Sequence, residues 1–196
     1  ISADGEYISV VNRNGQDVYL FNKDSSTPLW WFEGDHAVHS VSISADGEYI
    51  VAGYDGGSNS KVYLFGKDSN TPIWSYTVGG DVVRAVSISV DGEYIVAGNN
   101  DGKVTFFDKD SSTPLWSYST SSAIRSVDIS ADGKYITASN QGGKVFLFDK
   151  DSSTPLWSYT AGDDSWPQQS VSISADGEYI AAVFDDKKVY LFDKNS

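Results

Sequence analysis

Apolar residues along this chain fall into short runs of about six positions, each closed by a cluster of Asp, Gly, Asn, Lys or Ser. The stretch from Arg84 to Tyr118 shows the pattern most plainly: RAVSIS, VDGEY, IVAG, NNDG, KVTFFD, KDSST, PLWSY. Val86 and Ile88 alternate with Ser87 and Ser89, a period of two that places one face of an extended strand against a core. In the runs typified by Val62, Tyr63, Leu64 and Phe65 the apolar residues are consecutive, so such a strand needs cover on both faces. Four apolar runs separated by turn-forming clusters predict four strands, and no stretch carries a convincing helical period.

The unit recurs. ISADGEYI at Ile1 returns at Ile43, as ISVDGEYI at Ile88, as ISADGKYI at Ile129 and again as ISADGEYI at Ile173, with periods of 42, 45, 41 and 44 residues. Repeats of roughly 40 residues built from four antiparallel strands predict an all-β fold, a β-propeller whose four-stranded blades pack face to face around an axis. About five blades are expected, the terminal ones incomplete, with repeats at 1–42, 43–87, 88–128, 129–172 and a partial 173–196. Each fourth strand carries a Trp two residues after Pro, at Trp30, Trp74, Trp116 and Trp157, placed to wedge between neighbouring sheets. The chain opens with at most two residues of an innermost strand and closes after a third strand. We therefore expect a fragment of a larger propeller, or a homo-oligomer whose copies complete the ring, since near-identical blade edges suit one another.

The segments GKVTFFDKDSSTPLWSY and GKVFLFDKDSSTPLWSY resemble the tryptophan-bearing repeats of pyrroloquinoline-quinone-type propellers, and VRAVSISVDGEYIVAG resembles the inner strands of WD-repeat propellers. Phe-Asp or Phe-Gly stands where WD repeats carry Trp-Asp, and Ser-Ser-Thr-Pro replaces the glycine usual in the quinoprotein motif. The vicinal cysteines of many quinoprotein dehydrogenases have no counterpart in a chain without cysteine. The resemblance thus implies the fold and no cofactor.

Charge narrows the partners. With 14 basic and 27 acidic residues the net charge is -13, which opposes binding to nucleic acid or to an anionic membrane surface. No run reaches the roughly 18 apolar residues of a membrane span, so membrane insertion is not expected. Absence of cysteine removes disulfides, thiolate metal sites and cysteine nucleophiles. Methionine is absent too, even at position 1, which reads as a processed, excised or engineered piece, with an extracellular or cell-surface setting favoured.

Comparing the copies distinguishes two faces. The first turn spans the same 7 residues in every copy (Ile43 to Ile50, for example) and the third the same 12 (Val62 to Trp74), whereas the second turn varies from 9 to 12 and the link between blades from 11 to 14. Length variation confined to one end of a rigid scaffold is what a binding surface looks like, with drift in unconstrained loops as the alternative. At the start of the innermost strands on that side stand His39, Arg84, Arg125 and Gln169, a ring around the channel mouth able to hold a carboxylate, a sulfate or an acidic side chain. Their alternative role is that of solvated strand ends paired with carboxylates such as Asp81. Trp166, in the longest link, is placed either as a platform for a sugar or an apolar side chain or as a plug between blades. The Asp-Lys-Asp-Ser-Ser turns at Asp108 and Asp149 lack the third acidic position and Gly of a calcium loop, and His36 and His39 would not present both rings alike from an extended link. With no catalytic constellation, metal site or cofactor in view, the expectation is a noncatalytic binding or scaffold module for a protein, peptide or glycan. A quinoprotein-like enzyme remnant and a structural cell-surface repeat are the alternatives.

Overall fold

The computed structural model describes residues 1–161, 170–184 and 186–196. Its strands are β1 (Tyr7–Asn12), β2 (Asp17–Asn22), β3 (Trp30–Glu33), β4 (Val38–Ile43), β5 (Tyr49–Tyr54), β6 (Lys61–Gly66), β7 (Pro72–Thr77), β8 (Val83–Ile88) and β9 (Tyr94–Asn99). They continue with β10 (Lys103–Asp108), β11 (Trp116–Ser119), β12 (Ile124–Ile129), β13 (Tyr135–Asn140), β14 (Lys144–Asp149), β15 (Trp157–Thr160), β16 (Ser170–Ile173), β17 (Tyr179–Val183) and β18 (Val189–Asp193). Among the described residues the sole helix is one 3₁₀ turn at Gly57–Asn59. Five antiparallel meanders result: β1–β3, β4–β7, β8–β11, β12–β15 and β16–β18, the middle three with four strands and the outer two with three. These are the blades the repeat predicts. The repeated phrase straddles the first turn of each blade, so repeat boundaries counted from it cut across the end of an innermost strand such as β4.

Turn chemistry explains why the phrase is so uniform. In the second blade Ser44 Oγ donates to Asp46 Oδ1 (2.6 Å) and accepts from the Tyr49 amide (3.0 Å), while Asp46 Oδ1 accepts from the Glu48 amide (3.0 Å). Gly47 sits at φ 73°, a left-handed conformation that costs glycine little. The same Ser–Asp clamp closes the first turn at Ser2, Ser89, Ser130 and Ser174. Neighbouring clamps are also tied together: Ala3 donates to Ala45 O, Ala45 to Val90 O, Val90 to Ala131 O and Ala131 to Ala175 O, at 2.8–3.1 Å. A continuous backbone chain therefore crosses every blade junction on the uniform face.

The core lies between sheets. Val51, Val62 and Leu64 of the second blade meet Val83, Val86, Ile88, Ile95 and Phe107 of the third, and equivalent residues fill the other three junctions. Each fourth-strand Trp spans its junction as the pattern predicts. Trp116 packs on Phe106 of its own blade (centroids 5.1 Å) and on Phe148 of the next (5.3 Å). Its indole Nε1 donates to the carbonyl of Lys150 (2.8 Å), and Trp30, Trp74 and Trp157 make the same bond to Lys67, Lys109 and Lys194 at 2.7–2.9 Å. The outer sheets show what this cover is worth: Val62, Val104 and Val145 are fully buried, while their counterpart Val189, on the outward face of the fifth blade, is 76% exposed.

Two substitutions separate packing from hydrogen bonding at a junction. Trp116→Ala is expected to destabilise by about 3–5 kcal/mol through the cavity it leaves, and Trp116→Phe by a smaller amount, on the order of 1–2 kcal/mol, as the Lys150 carbonyl loses its donor. Gly98 lies against Ile124 of the next blade, where an added Cβ would collide with Cγ2. Gly98→Ala is therefore expected to lower the thermal midpoint, and an unchanged midpoint in calorimetry would contradict this packing.

Candidate functional site

Three of the sequence-predicted residues occupy one structural feature that the sequence does not announce. In β4, Val38 pairs with Tyr54 and Ser40 with Gly53, which leaves His39 as the extra residue of a β-bulge. Arg84 is the extra residue between Val83 and Ala85, and Arg125 that between Ile124 and Ser126. A bulge breaks the strict alternation of a strand and re-aims one side chain. Here it turns the same position in three consecutive innermost strands toward the variable end. Below the bulges, Ser40 Oγ accepts from the Val86 amide (3.1 Å), and the Asp128 carboxylate accepts from the Ser172 hydroxyl (2.9 Å) and the Ile173 amide (3.0 Å), which locks adjacent innermost strands together.

The two arginines are held by neutral groups. Arg84 Nε donates to Asn100 Oδ1 (2.8 Å), Arg125 Nη1 donates to the same oxygen (3.3 Å), and Arg125 Nη2 donates to Gln141 Oε1 (2.5 Å). Asn100 in turn donates through Nδ2 to Asp81 (2.9 Å), which sets that carboxylate one amide away from Arg84. That bond, with the Val82 amide and the charge of Arg84, holds the Asp81 carboxyl below its ordinary value. Among the described residues neither Arg84 nor Arg125 forms an ion pair with a carboxylate. Burial, followed by the charge of Arg84, lowers the pKa of the Arg125 guanidinium, whose Nε is buried without a partner. The result is two convergent, orientated guanidiniums that form no ion pair among the described residues, an arrangement suited to a planar or tetrahedral oxyanion.

His39 differs from its two counterparts. Its side chain is buried, and its Nε2 lies 3.8 Å from Asp55 Oδ2, too far for a hydrogen bond. Burial and then the charges of Arg13 and Arg84 depress its pKa below 6.5, so the ring is neutral at neutral pH and adds no charge to the arginine cluster. Arg13, from the turn after β1, is the basic residue that sequence reasoning passed over; with Asn100 and Gln141, it had no signal beyond its place in a variable turn. Gln169 and Trp166 lie outside the described residues. A histidine with a depressed folded-state pKa destabilises as the solution acidifies: its contribution is complete above 6.5, the unfolded value, and is lost as pH falls toward the folded value. The thermal midpoint of the native chain is thus expected to drop more steeply below pH 6.5 than that of His39→Gln, and parallel profiles would show that His39 is not the group responsible.

There is no cysteine, and among the described residues no group of three His, Asp or Glu is placed to hold a metal ion. No helix among them is long and apolar enough to cross a membrane.

Comparison with known families agrees with the architecture. The family model described as outer membrane protein assembly factor BamB matches residues 14–165, and the WD domain, G-beta repeat, matches residues 153–193. A search of curated proteins finds no match. With residues 14–165, most of its blades, inside the first of these matches, the chain belongs to the PQQ-like propeller family described as outer membrane protein assembly factor BamB.

Proposed function

We propose that this protein is a noncatalytic binding propeller that holds an acidic group of a protein or peptide partner at the mouth of its channel. The single observation that carries this reading is the Arg84–Asn100–Arg125 cluster, in which two guanidiniums share one amide oxygen and meet no carboxylate among the described residues. A guanidinium held by an amide keeps its full charge and its outward N–H groups, so a partner carboxylate gains charge-assisted hydrogen bonds without first displacing an internal ion pair. Net charge works the other way at long range: at -13 the protein repels acidic partners in general, so binding depends on local fit and not on steering. Selectivity for a shaped acidic epitope over bulk polyanions follows. The name of the matched family points to assembly at an outer membrane, a setting consistent with an extracytoplasmic scaffold that captures other proteins through its loop face.

The test is titration of a short glutamate-rich peptide against the native chain and Arg84→Gln/Arg125→Gln. Glutamine retains a hydrogen-bonding amide and removes the charge, so the thermal midpoint is expected to stay within a degree or two (about 0.5 kcal/mol) of the native value. Affinity is expected to fall at least about tenfold, the equivalent of about 1.4 kcal/mol. Equal affinity in the double variant, or no saturable binding to the native chain, would contradict the proposal.

A further inference from the structure

The second blade breaks the repeat at one point, and a cavity lies there. At the end of the second strand the other blades carry Asn12, Asn99, Asn140 and Phe184. Each asparagine closes the turn that follows: Asn12 Oδ1 accepts from the Gly15 amide (3.1 Å), Asn99 Oδ1 from the Lys103 amide (2.8 Å) and Asn140 Oδ1 from the Lys144 amide (3.0 Å). In the second blade this residue is Tyr54, which cannot make that bond, and the turn is rebuilt. It is longer by three residues than the 9-residue version, with Ile50 and Val62 standing 12 apart, and it folds into the 3₁₀ turn at Gly57–Asn59.

Tyr54 is 3% exposed, and its hydroxyl is buried with no hydrogen-bond partner. Phe32 and Tyr63 pack edge-on against the ring (centroids 6.3 and 5.1 Å), and Gly34 is so close that any side chain there would strike it. Burial raises the pKa of the phenol far above its ordinary value, so it stays protonated and able to donate. The residue borders a cavity of about 280 Å³ together with Asp35, His36, Asp55, Asn59, Lys61 and Tyr63. Lys61 lies 5.8 Å from the Tyr63 ring centroid, and among the described residues neither it nor Asp35 is in an ion pair. A buried hydroxyl left without a partner is costly, and the other copies show that the fold has a cheaper residue for this place.

We propose that this cavity between the first and second blades is a binding site for a neutral, hydroxyl-rich ligand the size of a monosaccharide. Its volume is at the small end of ligand pockets, which run from roughly 300 to 1,000 Å³. The wall offers donors (Lys61, Asn59, His36) and acceptors (Asp35, Asp55, Asn59) at once, and sugar hydroxyls both donate and accept. Charge decides against ionic ligands. An anion would face two carboxylates, and a cation would face the Lys61 ammonium. The site is separate from the arginine cluster and does not depend on it.

The experiment titrates glucose, galactose, mannose and N-acetylglucosamine into the full chain, read by saturation-transfer NMR and by calorimetry. At least one of these is expected to bind saturably, with a dissociation constant on the order of millimolar. Replacing residues 54–60 with Asn-Asn-Asp-Gly, the sequence at 99–102 of the third blade, rebuilds a turn the fold already uses and is expected to abolish binding with the β-sheet spectrum intact. Asp35→Ala is expected to weaken binding about tenfold without lowering the thermal midpoint, because Asp35 lines the cavity and is exposed. Failure of all four sugars to saturate, binding that survives the turn replacement, or preferential binding of glutamate or lysine over the sugars would each overturn the proposal.

Discussion

Burial of both faces of the three middle sheets is the constraint on which this structure rests. Strands such as β6, with Val62 and Leu64 on one face and Tyr63 and Phe65 on the other, leave no solvent-facing side, so a single blade would expose most of what it must bury. Each blade is stable because its neighbour completes it, and the tryptophan makes that dependence specific. A ring of Trp116 that touches Phe106 and Phe148 and also donates to the Lys150 carbonyl fixes both the spacing and the rotation of two sheets, since apolar packing alone would tolerate sliding. Four copies of one bond, at nearly one length, hold the blades to a single geometry.

That repetition accounts for what the sequence reveals. Residues that build blades recur, so the strands, the Ser–Asp clamps and the junction tryptophans can be read by aligning the chain with itself. The arginine cluster was half legible. Arg84 and Arg125 stand out as charges at equivalent positions, but the bulge that aims them arises from a mismatch between paired strands and leaves no mark in either strand alone. Asn100 and Gln141, which orientate the guanidiniums, look like ordinary turn residues until the third dimension brings them to the bulges. His39 stands at the equivalent position, and burial and neighbouring cations lower the pKa of its ring.

Division of labour between the two ends of the propeller follows from the same physics. On the uniform end, the backbone chain running from Ala3 through Ala45, Val90 and Ala131 to Ala175 leaves no freedom for insertion. Among the described residues the connections at the other end bear no such chain, so their lengths drift and their side chains can be recruited. Both candidate sites are found there, one made by a regular bulge repeated in three blades and the other by a single departure, Tyr54, in one. A repeat protein carries function where copies differ, and also where a shared backbone distortion points different side chains at the same place.

Nitrogen-detected NMR of the arginine Nε–Hε groups during a sulfate titration tests the central claim most directly, because it reports on the guanidiniums themselves. The account predicts that Arg84 and Arg125 shift together along one saturating curve while Arg13 responds weakly. Shifts spread evenly over all three arginines, or no saturation at either bulge, would contradict it.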